Sequence, residues 1–238
     1  MENRKLSIIV PTYNCAEGLK KTLQSIFSQK NCSYECIVMD GKSTDGTVQV
    51  ATAYKEKYPD LMKVFSDKDQ GIYDAMNKGV THASGEYIYF LGAGDTFISQ
   101  TALSNIEGHH EDIVYGYVKT HDGEVHSELK EKMNFLSSFH YRPICHQAIF
   151  ARKELLVQYP FELSYTYIAD QAWMLRMYSL HKKFKYIDEA IIDYGFDGFS
   201  SSEKGRLAAV EEMDRAKRAY TPVQYFIYRL IKGKMRKE

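Results

Sequence analysis

Three carboxylates and a histidine stand where their side chains could do chemistry. Asp40 closes an apolar run and opens the polar stretch Gly41-Lys42-Ser43-Thr44-Asp45-Gly46-Thr47. A carboxylate there can accept hydrogen bonds from a nucleobase or ribose, or it can satisfy the N–H groups of its own turn; the spacing leaves both readings open. Asp95 ends the tight turn Gly92-Ala93-Gly94-Asp95. It can hold a hard divalent cation on a diphosphate, because such cations take oxygen ligands and bridge phosphates. It can equally cap a helix over 97–106. Asp170 stands in the first turn of a helical array carrying Ala172, Trp173, Leu175, Arg176 and Tyr178. There it is either a general base for a hydroxyl nucleophile or an acid balancing the helix dipole. His146, beside Gln147 in the apolar run 144–150, is either a satisfied buried histidine or a site group.

The stretch from Asp69 through Gly79 to Asp95 organises the elements that must position these groups. Ile72, Ala75, Met76, Gly79 and Val80 recur at helical spacing, and Ser84-Gly85 stops that helix. Ile88 to Leu91 then forms a nearly continuous apolar run, as in a strand covered on both faces. Upstream, Leu6 to Val10 reads as a strand ended by Pro11. Asn14 and Glu17 have capping spacing before a helix bearing Leu19, Leu23, Ile26 and Phe27. A strand from Tyr34 to Met39, a helix from Thr47 to Lys57 and a strand from Leu61 to Phe65 follow. This alternation predicts an α/β fold with a parallel sheet, right-handed crossovers and helices on both faces. Pro11-Thr12-Tyr13, Asp40, Asp67 to Asp69 and Asp95 would share one sheet edge, where such sheets bind ligands.

The second half is less regular. Ile113 to Val118 reads as a strand, Asp122-Gly123 as a hairpin tip, 127–142 as a helix with a surface loop, and 144–150 as another strand. A helix over 169–180 and short strands over 184–187 and 190–194 come next. Ser200 and Glu203 have capping-box spacing before a helix to Tyr220. The tail, 224–238, sets Phe226, Ile227, Leu230 and Ile231 among Arg229, Lys232, Lys234, Arg236 and Lys237. A basic amphipathic helix of this kind can lie on an anionic membrane surface, or it can pack on the domain or on a second subunit.

The bulk numbers exclude several classes. The 238 residues suffice for one large α/β domain or two small ones, and the formal net charge is zero, so the basic excess of a general nucleic-acid binder is missing. The first apolar run is too short for a signal peptide, and no segment approaches the roughly 18 apolar residues of a membrane span; the expectation is a cytosolic chain. Of Cys15, Cys32, Cys36 and Cys145, the pair Cys32 and Cys36 has no second close pair and reads as small reduced hydrophobes. No P-loop, dinucleotide-binding glycine pattern or hydrolase nucleophile elbow is present.

The pieces together resemble the family 2 inverting glycosyltransferases with a GT-A fold. The likeness is carried by Ser7-Ile8-Ile9-Val10-Pro11-Thr12-Tyr13-Asn14, by Leu23-Gln24-Ser25-Ile26 with Gln29, and by Ile37-Val38-Met39-Asp40-Gly41 through Thr47. Asp69-Gln70-Gly71-Ile72-Tyr73-Asp74-Ala75-Met76-Asn77-Lys78-Gly79 and Gly85 to Leu91 extend it in order and spacing through about residue 95. His146-Gln147, Ala169-Asp170 with Leu175-Arg176, and Gly198-Phe199-Ser200 carry it more loosely beyond.

The resemblance implies a single GT-A domain with a mostly parallel central sheet over 1–223. Residues 1–95 would bind the nucleotide-sugar, 96–223 would hold the acceptor and the catalytic base, and 224–238 would form the tail. It implies that Pro11, Thr12, Tyr13 and Asp40 meet the base and ribose, uridine in many members. Asp69 would lie in a loop closing over the nucleotide, with Asp74, Asn77 and Lys78 nearby. Gly94 and Asp95 fall at the end of the family's acidic motif, which binds diphosphate with Mg²⁺ or Mn²⁺. Gly92 and Gly94 replace the motif's earlier acids, so an ion would rest on Asp95, the diphosphate and waters. Asp170 falls at the catalytic base, with Ala169 where many members carry another acid. His146 and Gln147 would line the acceptor side.

The implied activity is transfer of a sugar from a nucleotide-diphospho-sugar to a hydroxyl of a saccharide or lipid-linked saccharide, in surface polysaccharide synthesis. The expected place is the cytoplasm, at the inner face of the membrane if the tail binds it, and a homodimer is expected if the tail packs on a second subunit. Two other readings compete: a non-catalytic sugar-nucleotide binding subunit, and a sugar nucleotidyltransferase. The latter usually opens with a basic, glycine-rich loop, which Pro11-Thr12-Tyr13-Asn14 is not.

Overall fold

Apolar strands alternating with amphipathic helices build the first half of the molecule. The computed structural model describes residues 5–120, 146–194 and 203–235. In chain order the first elements are β1 (Leu6–Thr12), α1 (Ala16–Phe27), β2 (Tyr34–Asp40), α2 (Thr47–Lys57), β3 (Met62–Ser66), α3 (Ile72–His82) and β4 (Tyr87–Phe90). Then come β5 (Thr96–Phe97), a 3-10 turn (Ala102–Ile106), β6 (Ile113–Thr120), a second 3-10 turn (His146–Ala148) and β7 (Ile149–Arg152). The chain continues through α4 (Lys153–Gln158), α5 (Ala169–Ser179), β8 (Phe184–Tyr194), α6 (Glu203–Tyr220) and α7 (Pro222–Met235).

Among the described residues eight strands join one sheet in the order β3-β2-β1-β4-β7-β6-β8-β5. The first four run parallel, whereas β7 enters antiparallel to both β4 and β6. β6 and β8 are parallel, and β5 closes the edge antiparallel to β8. Period-2 alternation along β1 feeds two apolar layers. Ile9 packs with α3 and α5 on one face, while Ile8 and Val10 pack with α1 and Ala51 of α2 on the other.

A buried carboxylate ties the parallel strands together. Glu35 on β2 is fully buried and accepts hydrogen bonds from Ser7 Oγ on β1 and Ser84 Oγ, both at 2.7 Å. It also accepts from Ser84 N and pairs with Lys63 Nζ of β3 at 2.9 Å. Burial pushes its pKa up, but the Ser84, Ser7 and Lys63 bonds outweigh burial and hold it down at about 2.

Several local expectations are corrected. β1 does not stop at Pro11 but runs on to Thr12. Thr12 faces β2, since its carbonyl accepts from Gly41 N, so Pro11 faces the β4 side, where pairing has ended with Leu91 N on Ile9 O. The missing proline N–H is not needed there. Asn14 does not cap α1: its Oδ1 accepts from Thr44 N. Asp45 takes that role from the next loop, accepting from Ala16 N at 3.1 Å and from Thr47 N at 3.0 Å, and so serves the starts of α1 and α2 together. The run 144–150 is not a strand throughout, because residues 146–148 form a 3-10 turn. The two short strands expected over 184–194 are one strand, β8, whose register against β6 shifts near Tyr117. The hairpin tip Asp122-Gly123, the segment 127–142, Ile144, Cys145, Gly198-Phe199-Ser200 and the last tail residues, 236–238, lie outside the described residues.

Candidate active site

The carboxyl ends of β1 to β4 converge as the alternation predicts. Thr12 ends β1 with only 7% of its surface exposed, and its Oγ1 is buried without a hydrogen-bond partner among the described residues. A buried hydroxyl in that state is costly unless something else meets it. Tyr13, the next residue, is exposed at the rim. Asp40 is buried and occupied by its own turn. Its Oδ2 accepts from Lys42 N and Ser43 N at 3.1 Å each, and from Ser66 Oγ of β3 at 2.5 Å. The turn-acid reading therefore describes its contacts.

Gly41 is a point of close approach. A Cβ there would stand 2.7 Å from Asp69 Oδ2 and 3.4 Å from Tyr13. Asp69 otherwise accepts from Gly71 N at 2.9 Å and shapes the loop ahead of α3. Asp40, Asp67, Asp69 and Lys78 line a cavity of about 240 Å³ together with Phe65 and His82. The rings of the last two stack with centroids 3.8 Å apart. Asp74 pairs with Lys78 at 2.8 Å and accepts from Gln70 N at 2.9 Å. Asn77 is not brought to this edge. Its amide donates to Phe161 O and accepts from Phe161 N, both at 2.9 Å, and so clamps α3 to the chain after α4.

The Gly92–Asp95 turn is pinned from α1. Thr22 Oγ1 donates to Asp95 O at 2.8 Å and accepts from Gly94 N at 2.9 Å. Gly94 has φ +113, a left-handed conformation that glycine adopts without a Cβ clash. No α-helix follows for Asp95 to cap, because the next elements are β5 and a 3-10 turn. Instead, the Asp95 carboxylate accepts a short hydrogen bond from Gln147 Nε2, and Gln147 O accepts one from Tyr89 of β4.

Asp170 lies in the first turn of α5 and is 7% exposed. Its Oδ1 accepts from the Tyr73 hydroxyl of α3 at 2.7 Å, and its Oδ2 lies 2.9 Å from His146 Nδ1. Burial pushes the Asp170 carboxyl up, but the His146 and Tyr73 bonds outweigh it and leave the pKa below the ordinary value. Burial and the Asp170 charge push the Tyr73 phenol well above its usual range, so it stays a donor. The approach to α5 is held from α6: Glu212 accepts from Thr166 N at 2.8 Å and Tyr167 N at 2.9 Å.

His146 and Gln147 thus connect the two acid centres through one turn. His146 reaches Asp170, and Gln147 reaches Asp95. The sequence singled out all four but not their pairing, and it missed Tyr73 as the partner of Asp170. The available signal was a tyrosine in the first turn of α3. Among the described residues no group of three or more His, Cys, Asp or Glu could hold a metal. One carboxylate at a glycine turn fits an ion carried on a diphosphate, since Mg²⁺ keeps its waters and takes one or two carboxylates plus phosphate oxygens.

Comparison with known proteins identifies the family and the fold. Residues 7–181 match the family described as glycosyl transferase family 2. The chain is 36% identical over 187 residues to a PGL/p-HBAD biosynthesis glycosyltransferase of Mycobacterium bovis, covering 73% of this chain and 69% of that protein. S. aureus TarS 1–349 in complex with UDP superposes with a TM-score of 0.67 at 23% identity, over 91% of this chain and 70% of that one. The mannosyltransferase PcManGT of Pyrobaculum calidifontis, in complex with GDP-Man and Mn²⁺, gives a TM-score of 0.68 at 20% identity, over 91% of this chain and 64% of that one.

Proposed function

Because the chain belongs to glycosyl transferase family 2 and has the GT-A fold, we propose that it moves a sugar from a UDP-linked donor to a hydroxyl acceptor, inverting the anomeric centre. One observation carries the reading. The His146-Gln147 turn joins a buried, hydrogen-bonded carboxylate at Asp170 to a second carboxylate at Asp95, beside the carboxyl edge of the parallel strands. A displacement needs proton removal on one side of the sugar and charge stabilisation on the other. The Asp170 centre serves the first side and Asp95 the second.

In this reading Thr12 Oγ1 and Tyr13 meet the nucleoside, and Asp69 and Lys78 border it. Asp40 acts through the loop it orders. Gln147 orients the Asp95 carboxylate. Asp95 would hold Mg²⁺ or Mn²⁺ with the diphosphate; such an ion offsets the charge of a departing nucleoside diphosphate. The acceptor hydroxyl loses its proton at the Asp170 centre while its oxygen attacks the anomeric carbon opposite the diphosphate.

A saccharide or lipid-linked saccharide of surface polysaccharide synthesis fits the acceptor class, and the M. bovis relative is named for PGL/p-HBAD biosynthesis. No helix among the described residues is long and apolar enough to cross a membrane. Val223 and Phe226 of α7 are exposed beside basic residues, which supports contact with an anionic membrane surface.

The test is a thermal-shift panel of nucleoside diphosphates and sugar nucleotides, with and without Mg²⁺ or Mn²⁺. A ligand that binds only the folded state raises the melting temperature. The expected result is a shift with UDP that grows with metal and loses that growth in Asp95→Ala. A shift indifferent to metal removes the ion from the reading, and no shift with any nucleotide overturns it.

A further inference from the structure

Asp170 is poorly placed to receive a proton itself. Both of its oxygens are engaged, one by the Tyr73 hydroxyl and one by His146 Nδ1. Its side chain is 10% exposed, against 22% for His146. A carboxylate held in this way is ionised near neutrality and can only accept hydrogen bonds. The hydrogen shared with His146 must then sit on Nδ1. Nε2, on the other side of the ring, is left with the lone pair. Among the described residues Nε2 has no hydrogen-bond partner.

We propose that His146 Nε2 takes the proton from the acceptor hydroxyl, with Asp170 and Tyr73 as positioning residues that fix the ring's tautomer and direction. The proposal rests on the transferase reading above. The acceptor O–H bond breaks and its proton moves to Nε2. The oxygen forms a bond to the anomeric carbon, and the bond from that carbon to the diphosphate oxygen breaks, its electron pair leaving with the diphosphate. The imidazolium forms beside the ionised Asp170 and later gives its proton to water. A base works best when its conjugate acid titrates near the operating pH, and a carboxylate held below its ordinary range lies away from that point. The groups facing His146 are Asp170 from α5, Tyr73 through Asp170 from α3, and Asp95 through the neighbouring Gln147.

Two measurements on the full chain test this. In ¹⁵N-histidine-labelled protein the His146 resonances, assigned by their loss in His146→Gln, should show Nδ1 protonated and Nε2 bare. Asp170→Asn should abolish that preference. A protonated Nε2 in the neutral ring overturns the proposal. The second measurement is UDP release from UDP-sugars with water as acceptor, beside UDP affinity by calorimetry. His146→Gln keeps a donor toward Asp170, so a merely structural histidine would tolerate it. The expected result is UDP affinity within about twofold of wild type, release slowed by about 10²-fold or more, loss of the acidic limb of the pH–rate profile, and rescue of His146→Ala by added imidazole. Release by His146→Gln within about threefold of wild type overturns the proposal. Failure of wild type to bind UDP would instead overturn the UDP-donor reading above, and the tautomer result would stand apart from it.

Discussion

Tyr73→Phe removes the hydroxyl that bonds Asp170 Oδ1 at 2.7 Å and also reaches Tyr167 O at 3.2 Å. The ring of Tyr73 is 8% exposed and lies 5.5 Å, centroid to centroid, from Phe161. Phenylalanine keeps that contact and removes only the hydroxyl. The carboxylate of Asp170 then loses one of its two side-chain donors while remaining buried. A hydrogen bond to a charged group contributes about 1.5–3 kcal/mol, and 1 kcal/mol shifts the melting temperature of a domain this large by about 2–4 °C. The expected loss at pH 7 is therefore about 3–12 °C.

The sign of the pH dependence follows from the depressed Asp170 pKa. Its stabilising contribution is present above the unfolded value, near 3.9, and is lost as pH falls through the folded value. The gap between wild type and Tyr73→Phe should thus narrow as pH falls below about 4. Thermal melts at pH 7 read the first quantity, and urea denaturation of both proteins over a pH series reads the free-energy gap and its pH dependence. A gap under about 0.5 kcal/mol at pH 7, smaller than any charged hydrogen bond should give, would refute the reasoning. So would a gap that stays constant into acid.

Other perturbations follow from the same contacts. Asp170→Asn should keep UDP affinity within a few-fold, by calorimetry, while slowing UDP release by about 10²–10⁴-fold. Glu35→Gln should destabilise by about 2 kcal/mol at neutral pH, because it unpairs Lys63 and disturbs three donors. Wild type should lose this advantage between pH about 4.5 and about 2, through the depressed Glu35 pKa, as chemical denaturation against pH would show. Asp45→Ala removes a shared cap and should lower the midpoint of the same denaturation curves. Deleting residues 224–238 should abolish co-sedimentation with anionic liposomes; unchanged binding would remove the membrane contact from the reading.

The first four strands and three helices were legible because their periodicity is local. Ala75, Met76, Gly79 and Val80 mark one buried helix face without reference to anything distant, whereas Ile72, expected on that face, is exposed and Tyr73 is buried in its stead. Distant partners were not legible. Asp45 caps a helix that starts at Ala16, and Tyr73 meets a carboxylate at Asp170, so neither pairing leaves a periodic trace. The antiparallel entry of β7 between β4 and β6 is likewise a long-range choice, and a four-residue apolar strand does not declare its neighbours. His146 and Gln147 looked like strand residues because they precede the apolar Ala148, Ile149 and Phe150. The 3-10 turn that aims them at two carboxylates is held by contacts to Tyr89, Asp95 and Asp170.

The position of β7 also has a consequence in time. β4 bonds to β1 on one side and to β7 on the other, yet β7 is synthesised long after it. At about 5–20 residues per second, the chain between Phe90 and Ile149 takes roughly 3–12 s to emerge. During that interval Tyr87, Ile88, Tyr89 and Phe90 present an apolar edge with unpaired backbone groups, the kind that seeds strand addition between chains. The nascent half that carries the carboxyl edge of the parallel strands is thus exposed to misassociation until the His146–Arg152 segment arrives. The arrival that shields this edge also brings in the two side chains that complete the site.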